Sequence, residues 1–391
     1  MNKEIVLKRG QDKRVLGGHL WVFSNEVAEI RGEPVVGDTV RLLDSSGRFL
    51  GLGFFNPGSL ISFRLLSSKD GEIDQNFFEE RIRRALEFRG TFLPGVSSFR
   101  AVFGEADGLP GLIVDKYEKY LSVQYLSAGM EKNSALIVAA LEKIFSPEGI
   151  VGRNDSSLRK LEGLEERVDV LSGNVPEKVK IEENGCFYIA DLLSGQKTGF
   201  FFDQRENRSA IAKYCRGKRV LDCFCHTGAF GINAAKAGAS EITWVDSSKP
   251  ALDLAEENTK LNGLGDKFNG IVSNAGEYLE KLAKEGNKFD IIIVDPPAFI
   301  KSRKHFSVGY KAYRNLNASA LGLLKSGGIL ATSSCSHNLS PADFRNMIVE
   351  SAGRAGVQAR LLELRSQGRD HPVLLSMPET EYLKFAIIEV V

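Results

Sequence analysis

Four short apolar runs in the C-terminal half of the chain end on residues that can do chemistry: VLDCFCHTGAFG (Val220 to Gly231), ITWVD (Ile242 to Asp246), FDIIIVDPPAF (Phe289 to Phe299) and ILATSSCSH (Ile329 to His337). A strand buried on both faces of a parallel sheet reads as a near-continuous apolar run, and its carboxyl end opens onto the ligand crevice of such a sheet. Runs that stop on Asp or Cys therefore predict an enzyme whose site lies along one sheet edge.

In the first run Asp222 ends the strand, and Gly228 lies six residues on, before a helix starting near Ala229. Small residues let the backbone approach a ligand, and a helix N-terminus adds donors. The strict GxGxxG of nicotinamide enzymes is absent, and a tight turn with no ligand is the bland alternative. Asp246 follows Asp222 by 24 residues, the spacing at which an acid accepts hydrogen bonds from a ribose diol. Asp246 could instead serve only as a helix cap, as could Ser247 or Ser248. Two acids without a phosphate fingerprint suit a ligand carrying a ribose and an ammonium better than a pyrophosphate. In Asp295-Pro296-Pro297 two prolines remove donors and stiffen the turn, leaving acceptors suited to the edge of a planar base. A buried Cys is usually a small hydrophobe, but Cys335 stands at the next strand end, beside that turn, where the nucleophile reading is stronger. Cys223, Cys225 and His226 have no second ligand pair at metal-site spacing, so packing accounts for them and no metal is expected.

The elements that must position these groups follow from the rest of the 391 residues, a length that predicts two or three domains. Residues 1–68 alternate β-like runs with Gly, Pro and Asn, which predicts a small β barrel. Residues 69–180 hold an amphipathic helix from Ile73 to Phe92, strand-like stretches and a second helix near Lys132 to Phe145, an α+β linker domain. Across 181–391 strands and helices alternate: IAKYC, RVLDCF, AFGINAAKAG, EITWVD, KPALDLAEENTKLNG, a further strand, AGEYLEKLAKEG, FDIIIVD. Such spacing forces parallel crossovers and a doubly wound α/β sheet. The net charge of +1 excludes a globally basic nucleic-acid binder and leaves room for a local patch. No signal-like N-terminus and no long apolar span is present, and five sparse cysteines argue against a disulfide framework, so a cytoplasmic, reduced protein is expected.

These blocks, with TGFFFDQRENR and the late DHPV (Asp370 to Val373), resemble the S-adenosylmethionine-dependent 23S ribosomal RNA cytosine-C5 methyltransferases of the large-subunit methyltransferase I type. The resemblance covers essentially the whole chain, and LKRGQDKRVLGGHLWVFSNEV is similar to the PUA domain of these enzymes. It implies a class I methyltransferase Rossmann-like domain at 181–391 behind a PUA-like RNA-binding barrel, with S-adenosylmethionine as cofactor, ribosomal RNA as partner and a homodimer. On matching positions it implies that Asp222, Phe224 and Gly228 line the methionine side, that Asp246 with Ser247 holds the ribose, that Asn274 touches the adenine and that Arg205 braces the cofactor end. Asn274 stands where the family usually has Asp, and Ala298 where it often has Lys. Cys335 would add to C6 of cytosine, with Asp295 contacting the base and bordering the cofactor.

A base reached this way must be single-stranded or flipped out. Lys8, Arg9, Lys13 and Arg14, and Lys301, Arg303 and Lys304 after the DPP turn, are the basic segments that could hold its phosphates; either could be a solvated face. Two other readings stand beside this one: methylation of a nucleobase nitrogen, as in guanine, which needs no thiol, and a noncatalytic PUA-type RNA-binding protein.

Overall fold

The computed structural model describes residues 3–195 and 198–391. They group into two compact units, one of Met1–Ile181, Ala190–Phe202 and Arg369–Thr380, the other of Glu182–Ile189, Asp203–Gly368 and Glu381–Val391.

The first unit opens with β1 (Glu4–Leu7), α1 (Lys13–Leu16), β2 (Trp21–Phe23), β3 (Val27–Arg31), β4 (Thr39–Leu43), β5 (Phe49–Phe55) and β6 (Ile61–Ser67). The strands form one sheet in the order β2-β6-β5-β4-β1-β3. Val22 and Val27, from its two outermost strands, pack on the same core as Leu42 and Phe63, so the sheet curls around one interior. Next come α2 (Gln75–Phe92), β7 (Phe99–Phe103), β8 (Leu112–Tyr117), β9 (Tyr120–Tyr125), α3 (Ala128–Lys132), α4 (Ser134–Phe145), β10 (Gly149–Asn154) and β11 (Arg167–Gly173). Asp74 caps α2 by accepting from the Phe77 amide at 2.9 Å. The helix expected near Lys132 to Phe145 is α4, and the short α3 precedes it, separated at Asn133. Phe54 and Leu66 share a core with Phe78, Ile82 and Val123, and buried Glu162 ties Asn56, Ser59 and Arg64 together, which is why residues 1–68 and the segment after them fold as one unit.

β12 (Lys178–Glu183) and β13 (Cys186–Asp191) make a hairpin. The second unit then runs through α5 (Arg205–Ala212), β14 (Arg219–Cys223), α6 (Ala229–Lys236), β15 (Glu241–Asp246), α7 (Lys249–Leu261), β16 (Gly270–Val272), α8 (Ala275–Lys284), β17 (Phe289–Val294), α9 (Phe306–Gly322), β18 (Leu324–Ser334), α10 (Pro341–Ala355), β19 (Ala359–Arg365) and β20 (Lys384–Val390). IAKYC, placed at the head of the alternation in the sequence reading, is the tail of α5 and the turn after it; Ile211 faces the interior at helical spacing from Asn207 and Arg208.

The seven strands lie in the order β16-β15-β14-β17-β18-β20-β19, the first five parallel and β20 antiparallel to both neighbours. Leu221, Cys223, Ile292 and Val294 join one core with Leu279, Tyr313 and Phe344 of α8, α9 and α10. Alternate residues, Val220 and Asp222 among them, point to the opposite face, and α6 and α7 pack on β15. The chain winds outward from β14 in one direction and restarts at β17 on its other side, so Asp222 and Asp295 flank the point where strand order reverses, the place where open α/β sheets bind ligands.

Candidate active site

The turn after β14 carries three left-handed residues in five positions: Phe224 (φ 60°), His226 (φ 48°) and Gly228 (φ 82°). For the two non-glycine residues this costs about 1 kcal/mol each, and neighbouring groups hold it in place. Asp246 Oδ2 accepts the His226 amide at 2.9 Å, and its Oδ1 accepts the Ser248 amide at 2.9 Å. Trp244 Nε1 donates to the Gly228 carbonyl at 3.3 Å. The indole lies so close to α6 that a Cβ on Gly231 would sit 2.0 Å from Nε1, which fixes glycine there by packing.

Inside this turn Asp222 is fully buried. Its Oδ2 accepts the Gly231 amide at 2.8 Å, while Oδ1 has no partner among the described residues. Burial, assisted by the negative charges of Asp295 and Asp246, pushes its pKa up to about 8. An unpartnered buried acceptor costs roughly 1–3 kcal/mol, a deficit that a ligand ammonium would remove. The residues thus fit the amino-acid end of S-adenosylmethionine. Asp246, half-buried with two accepted bonds, keeps lone pairs for hydroxyls.

The other predicted cofactor residues sit as follows. Ser247 is exposed, and the α7 cap is Ser248, which accepts the Ala251 amide. Asn274 is exposed and caps α8, its Oδ1 accepting the Gly276 and Glu277 amides, so its Nδ2 is the group left for a ligand. Arg205 is buried at the start of α5, 3.8 Å from the Glu183 carboxylate that also pairs with Arg208 at 2.6 Å. Phe224 packs edge-on to Phe299 of the DPPAF segment.

Asp295 and Cys335 are brought to adjacent strand ends, because Val294 pairs with Thr332 in register. Asp295 is half-buried; its Oδ1 accepts from Gln204 Nε2 at 2.9 Å and from the Ser333 hydroxyl. Burial, with the nearby Asp203 charge, raises its pKa to about 6 against the opposing pull of those two donors. The stiff DPPAF segment is tied to the cysteine turn: the Phe299 amide donates to Tyr313 Oη at 3.3 Å, that hydroxyl meets Ser336 Oγ at 2.9 Å, and the Ile300 amide donates to the same Oγ at 3.1 Å. All five cysteines are described, and only Cys335 is not buried. Burial pushes the thiols of Cys223 and Cys225 well above the ordinary range, which disposes them to packing.

Sequence reasoning missed Gln204, Ser333, Tyr313 and Lys384. Lys384 is 4% exposed and its Nζ donates to the Ser336 and Tyr382 carbonyls, each at 2.7 Å. A signal was available: LKFAIIEV opens an apolar strand with a lysine. For Gln204 there was none beyond its place next to Arg205.

The two basic segments fare differently. Lys301, Arg303 and Lys304 are all exposed on the segment after the DPP turn, with no ion pair among the described residues. In the first unit Lys8, Arg9 and Lys13 are exposed, and half-buried Arg14 pairs with buried Glu26 at 3.2 Å, reaches the His19 ring and stacks over Phe23. Its charge is used within the fold. No described helix is long and apolar enough to cross a membrane.

Comparison with known proteins agrees with this fold. Residues 5–68 match the PUA-like domain family and residues 156–372 the S-adenosylmethionine-dependent methyltransferase family. A solved chain from Streptococcus mutans described as a SAM-dependent methyltransferase superposes with a TM-score of 0.86 at 24% identity over 100% of both chains. A methyltransferase solved in complex with SAH gives 0.87 at the same identity and coverage. The ribosomal RNA large subunit methyltransferase I of Aeromonas hydrophila is 40% identical over 99% of each chain. On that full-length identity, a barrel at the N-terminus and a methyltransferase sheet behind it, the chain belongs to the ribosomal RNA large subunit methyltransferase I family of S-adenosylmethionine-dependent enzymes.

Proposed function

We propose that this protein methylates C5 of a cytosine in 23S ribosomal RNA through a covalent adduct on Cys335. The observation that carries the reading is the presentation of Cys335, the one cysteine not buried, at the end of β18 beside Asp295 on β17. Cytosine C5 is too electron-poor to attack an electrophile directly. Addition of the Cys335 thiolate to C6 places an electron pair on C5, dividing one hard step into easier ones. Bound S-adenosylmethionine supplies the methyl group as a sulfonium electrophile, which becomes a neutral thioether. A base then takes the C5 proton, the electron pair reforms the C5–C6 double bond and the thiolate leaves. The net change is H5 replaced by methyl with one proton released. Asp295, with a proton affinity raised toward neutrality, accepts from N4 and shares a proton with N3 as charge develops in the ring.

In this reading Asp222, Phe224 and Gly228 hold the methionine end, Asp246 and Ser247 the ribose and Asn274 the adenine, with Arg205 bracing the pocket. Lys301, Arg303 and Lys304 contact phosphates near the target base, while Lys8, Arg9 and Lys13 serve the PUA-like barrel at 1–68. The segment 69–180 links that barrel to the catalytic domain at 181–391, and the enzyme works in the cytoplasm on ribosomal RNA or its precursor.

The test is incubation with tritiated S-adenosylmethionine and 23S RNA lacking the modification, comparing wild type with Cys335→Ala. Label in 5-methylcytidine with wild type alone is the expected result. Label on a purine nitrogen that survives the substitution refutes the cytosine-C5 mechanism.

A further inference from the structure

We propose that Lys384 is the positioning residue for Cys335, its buried ammonium both holding the turn that presents the thiol and keeping that thiol as the thiolate. The inference rests on the reading of Cys335 as the nucleophile.

Both chain neighbours of Cys335 are in the grip of this lysine. Ser334 pairs directly with Lys384 across the antiparallel β18–β20 ladder, and the Ser336 carbonyl accepts from Nζ at 2.7 Å. The second acceptor, the Tyr382 carbonyl, belongs to the segment leading into β20. An ammonium has three protons to donate, and the structure satisfies two of them with carbonyls. Among the described residues no carboxylate lies within ion-pair distance of Nζ. Burying a lysine without a carboxylate is expensive, and a chain that needed only packing would place a methionine or leucine here.

Among the described residues two negative groups bear on the lysine, and the larger in effect is Cys335. Burial lowers the Lys384 pKa to about 8, and Cys335 first and exposed Glu381 second oppose that fall. From α9 the Tyr313 hydroxyl is occupied with Ser336. His337 stacks its ring against Tyr382, whose hydroxyl donates to Asp203 at 2.6 Å. On β19 Arg365 pairs across from Phe385, and its guanidinium is held by Asn207 and Glu363. The lysine is thus an ammonium at neutral pH, its charge directed at the cysteine turn. A neighbouring cation lowers a thiol's pKa, and the proton released passes to solvent.

The remaining four cysteines are buried, so alkylation by iodoacetamide of the folded protein reads Cys335, with Cys335→Ser as the blank. The rate against pH is measured for wild type, Lys384→Met and Lys384→Arg in the absence of cofactor and RNA. The wild-type midpoint is expected below the ordinary thiol value of about 8.5. Lys384→Met, similar in volume, should move it up by at least about one pH unit, cutting the rate at pH 7 about tenfold, while Lys384→Arg stays within about threefold. A wild-type midpoint at or above about 8.5 overturns the inference even if no variant folds, and so does a Lys384→Met profile that superimposes on wild type. A shifted thiol profile in an enzyme that labels a purine nitrogen would leave the Lys384 inference standing while the cytosine-C5 reading fails. Formation of 5-methylcytidine with an unshifted profile does the reverse.

Discussion

Replacing Asp222 by Asn separates a ligand-binding carboxylate from a merely structural one. With a pKa near 8 the wild-type side chain is mostly a neutral acid at pH 7, hydrogen-bonded to the Gly231 amide through one oxygen and, among the described residues, unpartnered at the other. Asn reproduces that neutral shape, so the apoprotein should melt within about 2 °C of wild type at pH 7, a shift that for a large domain corresponds to less than about 1 kcal/mol. Binding an ammonium requires the carboxylate. Ionising Asp222 costs about 1.4 kcal/mol at pH 7 and about 2.7 kcal/mol at pH 6, one pH unit being about 1.4 kcal/mol. Affinity for S-adenosylmethionine should therefore rise about 6- to 30-fold from pH 6 to pH 8, flatten above that, and be accompanied by proton release within that interval. The charge-assisted bond itself is worth about 1.5–3 kcal/mol, so Asp222→Asn should weaken binding by about 10- to 150-fold above pH 8, where no ionisation cost remains, and by at most about 15-fold at pH 7, and should abolish the pH dependence. Isothermal titration with S-adenosylhomocysteine, in two buffers of different ionisation enthalpy, measures both quantities. The opposite linkage holds for stability: because the folded pKa is raised, the contribution of Asp222 is full below the unfolded value near 4 and is lost as pH rises through about 8. Asn binding as tightly as Asp, with no proton released by wild type, would show that Asp222 only caps α6 and would refute the argument.

Other outcomes follow from the same geometry. Asp295 must carry the proton it shares with N3, which has none in neutral cytosine, so a limb of the pH–rate profile should fall as pH rises through about 6, and Asp295→Asn should remove that limb and lower kcat about a hundredfold in single-turnover methylation. Gly231→Ala drives a methyl into Trp244 Nε1 at 2.0 Å; overpacking of this kind costs about 1–3 kcal/mol, visible in urea unfolding, and an unchanged midpoint would mean that the indole can move. Exchanging Lys301, Arg303 and Lys304 for Ala should reduce the slope of log affinity against log salt for single-stranded RNA by about 2, at about 0.7 per phosphate, with cofactor affinity unchanged.

The site was legible where a side chain's place follows from strand periodicity. Asp222, Asp246, Asp295 and Cys335 are read from one-dimensional runs, since a parallel strand delivers its last residue to the sheet edge whatever lies around it. Lys384 and Tyr313 reach that edge from an antiparallel strand nearly fifty residues downstream of Cys335 and from the middle of a helix. No local spacing announces such a meeting. The ion pair of Arg14 was hidden for the complementary reason: a run of basic residues looks solvated, and only tertiary structure shows that buried Glu26 pairs with one of them. The curled N-terminal sheet was expected from its alternation and turns; that it folds as one unit with the segment behind it depends on Phe54, Leu66 and Glu162, whose partners lie far along the chain.

Three carboxylates at neighbouring strand ends repel one another, and the fold relieves each in a different way. Asp246 is neutralised by two backbone amides, Asp295 by Gln204 and Ser333, and Asp222 by holding its proton. The difference decides what each can do for the reaction. In the proposed mechanism Asp222 would meet the donor's ammonium, a charge the same before and after methyl transfer, so its contact is uniform binding and its loss should raise KM with kcat nearly unchanged. Asp295 would meet a base whose electron density shifts between ground and transition state, so its loss should appear in kcat. Lys384 acts one step earlier, on the population of thiolate, and its loss should be recovered in part by raising pH. If Asp222→Asn instead lowered kcat and left KM alone, the carboxylate would be touching a group that changes charge during the reaction, and the placing of the methionine end in the turn after β14 would have to be given up.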